Sequence, residues 1–310
     1  MKKNSKIFVA GHKGLVGSAI LRKLQKEGYK NIVTRTHKEL DLINAPKVTE
    51  FFKKEKIEYV FMAAAKVGGI MANKNFPAEM IYQNIEVQNN IIHNSYLTGV
   101  KKLLFLGSSC IYPRLAPQPI KEEYLLSGLL EPTNQAYAIA KISGIVMCQS
   151  YNKEYGTNFI SAMPTNLYGP NDNFDYENSH VFPAMIRKFH DAKEKKEKSI
   201  TFWGTGTPKR EFLHVDDVAS ASLFLMLNYN DSEIINVGTG EDISILELVN
   251  KMKKIIGYNG KVIWDKEKPD GMPRKLLDVS KIHNLGWKHI IDVDRGITET
   301  YEWFSKNVSK

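Results

Sequence analysis

The strongest constraint in this sequence is a short apolar run that leads directly into three evenly spaced glycines. The run Ile7–Ala10 is followed by Gly11, Gly14 and Gly17, and then by apolar residues at helical spacing. Glycines between a strand and a helix let the backbone turn tightly and approach a pyrophosphate, whose charge the helix N-terminus stabilises. The pattern therefore predicts a nucleotide-binding turn at the start of the chain.

The alternation of strand and helix patterns continues through the first half of the chain. Short apolar runs predict buried strands at 6–10, 32–34, 59–65, 102–107 and 158–163. Helical periodicity predicts helices at 18–27, 45–56, 78–96 and 134–155. Strictly alternating elements of this kind predict an α/β fold, a Rossmann-like doubly wound parallel sheet with right-handed crossovers.

The pattern loosens after Pro164. Helices are predicted at 181–192 and 245–256, and one further strand near 234–238. We therefore expect residues 1–168 to form a cofactor-binding Rossmann domain, to which the chain returns around 212–240. Residues 169–310 are expected to form mainly a smaller, helix-rich substrate lobe.

Charge and composition narrow the class of protein. The 43 Lys and Arg against 34 Asp and Glu give a net charge of +9, but the cations are scattered and the densest patch, 193–198, alternates with acids. Such a patch is typical of a solvated helix end, and scattered charge suits anionic nucleotides as well as nucleic acid. No run approaches the ~20 apolar residues of a membrane span. Cys110 and Cys148 are too few for a disulfide framework, so we expect a cytoplasmic protein whose partners are neither membranes nor nucleic acids.

The second predicted strand ends in a basic segment. An acidic side chain at this place in a Rossmann fold holds the ribose 2′-hydroxyl, whereas a basic one accepts a 2′-phosphate. Arg35 and His37 stand here, and Lys13 in the glycine loop adds a third candidate cation. The segment favours NADP(H) over NAD(H); the alternative is a solvent-facing loop that is basic in a lysine-rich chain.

Tyr137 and Lys141 are four residues apart and so lie on one face of a predicted helix. An ammonium beside a phenol favours the phenolate, so we expect the pKa of Tyr137 to fall and the phenol to exchange a proton with a carbonyl oxygen. The preceding strand ends near Ser108, at the sheet edge where ligands bind. Ser108, Tyr137 and Lys141 are thus predicted to meet beside a nicotinamide, although such a pair can also be an ordinary surface contact.

Taken together, these motifs resemble the extended short-chain dehydrogenase/reductases. The resemblance rests on the glycine triplet, the Ser-Ser-x-x-Tyr segment at 108–112 and the Tyr-x-x-x-Lys pair, and it covers essentially the whole chain. Within that family, segments 164–170 and 210–217 are similar to the GDP-L-fucose synthases. The resemblance implies NADP(H) as cofactor, a GDP-sugar as substrate and a homodimer packed through two long helices.

The resemblance also implies a role for each motif residue. Tyr137 would protonate the C4 oxygen of a GDP-4-keto-6-deoxy sugar during reduction by NADPH, while Lys141 holds the ribose and Ser108 contacts the carbonyl. Cys110 and His180 match the base and the acid that epimerise C3 and C5 in that family. Protons beside a ketone are acidic because hydrogen-bond donors can stabilise the enolate, and a thiolate acts as a base near neutrality only in favourable surroundings.

Further residues match ligand-binding positions of that family. The implied cofactor contacts are, besides Lys141 and the residues named above, Asp41, Ala64, Leu106, Ser109, Pro164, Asn166 and Leu167. The implied GDP-sugar contacts are Lys188, Trp203, Arg210 and Asp270. Cations suit diphosphate oxygens and an indole offers a flat apolar face, although a tryptophan is also a common core residue. Lys13 and His37 stand where family members carry arginine, which weakens bidentate capture of a 2′-phosphate.

Three functions are compatible with these residues. The simplest is an NADPH-dependent ketoreductase that epimerises C3 and C5 of its GDP-4-keto-6-deoxy sugar and then reduces C4. A C4-reductase without epimerase activity, acting on a GDP-4-keto-6-deoxy-heptose, would keep the same residues. A non-catalytic nucleotide-binding regulator is the remote third, because such proteins commonly lose the tyrosine or the lysine.

Overall fold

The computed structural model describes residues 1–176, 179–268 and 270–309. Its strands are β1 (Ile7–Ala10), β2 (Ile32–Val33), β3 (Tyr59–Met62), β4 (Lys102–Leu106), β5 (Phe159–Pro164), β6 (Asn166–Tyr168), β7 (Ser199–Trp203), β8 (Lys209–Arg210), β9 (Phe212–His214), β10 (Ile235–Val237), β11 (Ile243–Ser244), β12 (Lys261–Asp265) and β13 (Arg274–Lys275). Its helices are α1 (Leu15–Lys26), α2 (Ala45–Glu55), α3 (Ile70–Asn75), α4 (Pro77–Leu97), α5 (Gln135–Tyr155), α6 (Val181–Glu194), α7 (Val215–Asn228), α8 (Ile245–Ile256), α9 (Ser280–Asn284) and α10 (Val293–Asn307).

A six-stranded parallel sheet in the order β2-β1-β3-β4-β5-β10 lies at the centre of the molecule. This sheet, with helices packed on it, confirms the predicted doubly wound α/β fold. From β1 the chain moves outward in one direction to β2 and in the other direction to β3 and β4. The crevice outside the carboxyl ends of β1 and β3 is therefore the topological switch point, where ligands of such sheets bind.

The central strands are apolar because helices cover both faces of the sheet. Every residue of β1 and β4 is buried. Phe8 in β1 packs on two aromatic rings of α2, with ring centroids 4.9 Å from Phe51 and 5.9 Å from Phe52. These contacts anchor α2 to the sheet and so position the segment that follows β2.

A second core lies in the C-terminal half of the chain. Small sheets, β6-β9, β7-β12 and β11-β8-β13, surround an aromatic cluster in which Tyr168 stacks on Phe182 with ring centroids 3.8 Å apart. In β7 the side chains alternate, so Ile200 and Phe202 are buried in this core and Trp203 points outward. The chain returns to the central sheet at β10, which pairs with β5.

The predicted helices occur close to their expected positions. The helix at 245–256 has the bounds observed for α8, whereas α1 begins at Leu15, three residues before the predicted start. The early start follows from Gly14, which is already the N-cap of α1. The short helix α3 was not predicted, since its polar sequence has no apolar periodicity. No helix in the described ranges is long and apolar enough to cross a membrane.

Lys102 is a charged residue inside the central sheet. It is 3% exposed, and its ammonium donates to the carbonyl oxygens of Leu225, Met226 and Tyr229 at the end of α7 and to Asn230 Oδ1. Burial lowers the pKa of Lys102 to about 8. The last turn of a helix leaves its carbonyl groups without partners, so this ammonium caps α7 from within the sheet.

We expect Lys102→Met to lower the free energy of unfolding by about 2–3 kcal/mol, because several buried acceptors lose a charged donor. Urea unfolding at pH 7, followed by circular dichroism, measures this. The matched control is Lys101→Met, which removes the neighbouring exposed ammonium and its ion pair with Glu58 and should change stability little. Equal stability of the two variants would contradict the capping role.

Candidate active site

The turn after β1 needs glycine at two of its three glycine positions. Gly11 has φ +81°, and a Cβ there would lie 2.7 Å from the backbone nitrogen of Ala64. A Cβ on Gly17 would lie 2.1 Å from the carbonyl oxygen of Gly11. Gly14 is different, since a Cβ there would meet only Gly11 O at 3.5 Å. Gly11 and Gly17 thus hold the start of α1 close to the end of β3.

The geometry of this turn fits the pyrophosphate of a dinucleotide. Gly14 caps α1 without a side chain, so no side chain covers the first N–H groups of the helix. Lys13 beside it is exposed. Backbone N–H groups at a helix N-terminus, close to an ammonium, stabilise an anion. The residues predicted to hold NADP(H) at this edge of the sheet therefore form a suitable cradle.

The basic segment after β2 divides into an engaged and an exposed part. The Arg35 guanidinium lies 2.5 Å from Glu55, donates to Thr34 O and lies 5.3 Å from the ring centroid of Phe51. His37 is exposed, and its Nδ1 lies 3.7 Å from Asp41 Oδ1. Arg35 is thus held against α2, whereas His37 is open to a ligand.

The remaining predicted cofactor contacts lie along the carboxyl edge of the sheet. Leu106 and Pro164 end β4 and β5, Ser109 is buried in the turn after β4, and Leu167 lies in β6. Asn166 Nδ2 donates to the carbonyl oxygen of Glu211 at 2.8 Å. The topology therefore brings together segments that are far apart in the sequence.

Ser108, Tyr137 and Lys141 meet at the same edge, as predicted from the end of β4. The Ser108 hydroxyl hydrogen-bonds the Tyr137 phenol, and Lys141 Nζ lies 5.8 Å from the Tyr137 ring centroid. Lys141 Nζ also donates to Leu106 O at 2.8 Å. The lysine is buried, and burial lowers its pKa to about 8.

The expectation that Lys141 lowers the pKa of Tyr137 is wrong in this structure. Burial raises the pKa of Tyr137, nearby Cys110 raises it further, and the hydrogen bond with Ser108 offsets only part of the increase. Desolvation penalises the phenolate, and the Lys141 ammonium is directed at Leu106 O. At neutral pH the phenol therefore carries its proton.

Cys110 lies next to this group, in a 3-10 turn that follows β4. Its backbone N–H donates to Ser108 Oγ at 3.2 Å, and its thiol is free. Lys275 Nζ reaches its sulfur from β13, at 3.7 Å. Partial burial, and after it the positive charge of Lys275, lowers the pKa of His180. The Lys275 ammonium thus contacts Cys110 and also acts through its charge on His180.

A small cavity opens beside Cys110. Ser109, Met272 and Lys275 line it together with Cys110, and Arg114 and Glu131 also line it. There Arg114 Nε lies 3.4 Å from Glu131 Oε2. The predicted epimerisation base therefore lines this cavity with its free thiol.

Two predicted sugar-nucleotide contacts lie on β7 and α6. Lys188 donates to Thr201 O and lies 4.8 Å from the ring centroid of Phe202, and burial lowers its pKa. Trp203 is 72% exposed, with Lys268 Nζ 5.8 Å from its ring centroid. The alternative that Trp203 is a core residue is therefore wrong.

The other two contacts lie on strand β8 and on the loop that precedes β13. Arg210 donates to Met272 O at 2.6 Å, and burial lowers its pKa. Asp270 accepts from Thr205 N at 2.9 Å and from Thr205 Oγ1 at 2.7 Å, and these bonds lower its pKa. A Cβ on Gly271 would lie 3.0 Å from Arg210 Nη2, so the loop that carries Asp270 is in close contact with Arg210.

Two residues of the site were not predicted from the sequence. Lys275 is one, because no motif relates it to Cys110 across 165 residues. Glu211 is the other: this fully buried carboxylate accepts from the backbone N–H groups of Thr239, Gly240 and Leu277, at 2.7, 2.8 and 3.0 Å. Burial raises the pKa of Glu211, and these hydrogen bonds oppose the increase. The signal in the sequence was its place in segment 210–217, beside Arg210.

The site has its counterpart among known proteins. Residues 7–238 match the model of the NAD dependent epimerase/dehydratase family. The chain belongs to this family. Membership agrees with the fold, the glycine turn and the Ser-Tyr-Lys group described above.

Relatives in this family are similar over almost their whole length. GDP-L-fucose synthase 1 of Arabidopsis thaliana is 56% identical over 306 residues, which cover 99% of this chain and 95% of that protein. GDP-L-fucose synthase of Escherichia coli K12 is 52% identical over 311 residues, 97% of each chain. A solved structure, GDP-mannoheptose C4 reductase from Campylobacter jejuni with NADP bound, is 45% identical with a TM-score of 0.91. The match covers 98% of this chain and 99% of that chain.

We expect His37→Arg to raise the preference for NADPH over NADH by about tenfold, because a guanidinium pairs with a phosphate in two charge-assisted hydrogen bonds. The ratio of kcat/KM values for the two cofactors measures this. The matched control is Lys53→Arg, an exposed change on α2 that should leave the ratio unchanged. An unchanged ratio in His37→Arg would place His37 away from the 2′-phosphate.

Proposed function

We propose that this chain is an NADPH-dependent epimerase-reductase that converts GDP-4-keto-6-deoxy-mannose to GDP-L-fucose. The observation that carries the proposal is the grouping of Ser108, Tyr137, Lys141 and Cys110 at the carboxyl edge of the sheet. The similarity to GDP-L-fucose synthases of 52% and 56% identity supports the same substrate.

Reduction needs a proton donor at the C4 oxygen. NADPH, held when bound by the glycine turn and the basic segment, supplies the hydride. Tyr137 gives its proton to the C4 oxygen, and the raised pKa keeps that proton on the phenol until the oxygen becomes basic. Lys141 holds the ribose of the bound cofactor beside Tyr137, and Ser108 donates to the C4 oxygen.

Epimerisation needs a base and an acid on opposite faces of the sugar. Cys110 removes the proton from C3 or C5, and His180 returns one from the other side. Ser108 and Tyr137 stabilise the enolate oxygen that forms at C4. The free thiol of Cys110 faces the cavity beside the reductase group, which supports this role.

The cofactor and the sugar nucleotide bind mainly in different lobes. Residues 1–168, with the returning segment around 212–240, form the NADP-binding domain, and 169–310 form mainly the substrate lobe. In that lobe Lys188 and Arg210 bind the diphosphate, while Trp203 and Asp270 bind the nucleoside. The exposure of Trp203 and the contact of Arg210 with the loop that carries Asp270 support this assignment.

We also propose that the chain forms a homodimer and acts in the cytoplasm. Helices α4 and α5 pack on each other through Gln88, which donates to Ala140 O. Their outer faces expose apolar side chains, namely Tyr82, Ile139, Val146 and Tyr155. A homodimer formed through this surface would bury them, and sedimentation of the full chain measures its mass. Two free cysteines and an NADPH-consuming reaction suit the cytoplasm.

The second candidate is a C4-reductase without epimerase activity that acts on a GDP-4-keto-6-deoxy-heptose. The similarity to the Campylobacter jejuni GDP-mannoheptose C4 reductase favours it. Both functions use Tyr137 in the same way. They differ in whether Cys110 and His180 exchange protons with the sugar.

One reaction distinguishes the two candidates. Turnover of GDP-4-keto-6-deoxy-mannose with NADPH in D₂O should give a product with deuterium at C3 and C5, because epimerisation exchanges both protons with solvent. Absorbance of NADPH measures reduction, and NMR of the product locates the deuterium. A product without deuterium would reject the epimerase and favour the heptose reductase.

We expect Tyr137→Phe to lower kcat for reduction by about 10²–10⁴-fold, because the C4 oxygen loses its general acid. Binding of NADPH, measured by fluorescence titration, should be retained. Tyr151→Phe is the matched control on the same helix, since its hydroxyl contacts His93 and not the site. Turnover by Tyr137→Phe at the control rate would exclude Tyr137 as the acid.

A further inference from the structure

Lys275 enters the site from the far end of the chain. It lies in β13, where it pairs in parallel register with Arg210 of β8. Its neighbour Arg274 points to the opposite side of the strand, where it pairs with Asp242. The register that holds Arg210 therefore also directs the Lys275 ammonium to Cys110, with Nζ 3.7 Å from Sγ.

The charge of Lys275 is not neutralised by a carboxylate. Within the described ranges Lys275 forms no ion pair, whereas its strand neighbour Arg274 pairs with Asp242. Glu131 lines the same cavity, but it is paired with Arg114. The thiol of Cys110 is thus the polar group that this ammonium contacts, in a half-buried place where a charge is weakly screened.

We propose that Lys275 is a positioning residue for epimerisation, which stabilises the deprotonated sulfur of Cys110 and so prepares it as the base. The inference rests on the proposed function and adds a residue to it. An ammonium beside a cysteine favours the thiolate, which is the form able to accept a proton.

The same proton transfer takes place at each of the two carbons. The C–H bond at C3 or C5 breaks, its proton forms an S–H bond on Cys110, and the electron pair moves into an enolate with its charge on the C4 oxygen. The enolate carbon then takes a proton from His180 on the opposite face. Exchange with solvent removes the proton from Cys110 and returns one to His180 before the second carbon reacts. Lys275 keeps its own proton throughout and acts only through its charge.

The same ammonium acts on His180 in the opposite sense. Burial is the larger cause of the lowered pKa of His180, and the charge of Lys275 is the second. The ammonium therefore opposes protonation of His180, the acid, while it favours deprotonation of Cys110, the base. Removing the charge should therefore move both limbs of the pH profile of epimerisation to higher pH. Among the described residues, the other charged or titratable groups around Cys110 are Tyr137 from α5, Tyr112 from the turn after β4, and the Arg114–Glu131 pair, and these remain in every variant.

Alkylation of the free enzyme by iodoacetamide tests the effect on sulfur without any substrate. Cys148 is fully buried, and Cys110→Ser gives the background. Lys275→Met should raise the pH of half-maximal alkylation by about one unit and slow the reaction at pH 7 by about tenfold. Lys275→Arg, and the control Lys209→Met on the neighbouring strand β8, should behave as wild type. An unshifted profile in Lys275→Met would overturn the proposal.

Catalysis provides the second measurement. Lys275→Met should slow deuterium exchange at C3 and C5 at neutral pH and shift the pH optimum of that exchange upward. Oxidation of GDP-L-fucose by NADP⁺ needs only C4 chemistry, so its rate should stay within about twofold of wild type. An equal loss of both activities would overturn the proposal, because it would indicate a structural role. If wild type exchanges no deuterium, the proposed epimerase fails, and alkylation still decides whether Lys275 acts on Cys110.

Discussion

The parallel direction of the six central strands is the constraint on which the rest of this molecule depends. All carboxyl ends meet at one edge of such a sheet, so the glycine turn after β1, the Ser108 segment after β4 and the end of β5 become neighbours. The close approach of Gly11 to Ala64 holds the first turn against β3. The site is therefore a consequence of topology, and its residues need no proximity in sequence.

Desolvation then determines the chemical state of the groups at this edge. Burial raises the pKa of Tyr137 and lowers that of Lys141 to about 8. The tyrosine is thereby kept as a proton donor, and the lysine remains mostly charged at neutral pH. Burial thus disfavours the charged form of both side chains, and the result is a protonated tyrosine beside a lysine cation. This is the arrangement required for protonating a ketone oxygen.

The segments that complete the site are held to the sheet by a few buried polar contacts. Glu211 accepts three backbone N–H groups from two distant segments, and Thr165 and Asn166 hydrogen-bond its carbonyl oxygen. The segment that contains Leu277 also carries Lys275. The Glu211 carboxylate follows Arg210 of strand β8 and accepts from the backbone of Leu277. It therefore ties strand β8 to the segment that places Lys275 beside Cys110.

Local pattern in the sequence was sufficient for the fold class, the six strands of the central sheet, six of the ten described α-helices, the glycine turn and the meeting of Ser108 with Tyr137. Strand periodicity and the strand–helix order already imply where these strand ends lie. The tertiary structure alone decided the direction of the Tyr137 pKa, the pairing of Arg35 with Glu55 and the arrival of Lys275 at Cys110. These depend on burial and on contacts between distant segments, and neither quantity is encoded in the spacing of residues along the chain.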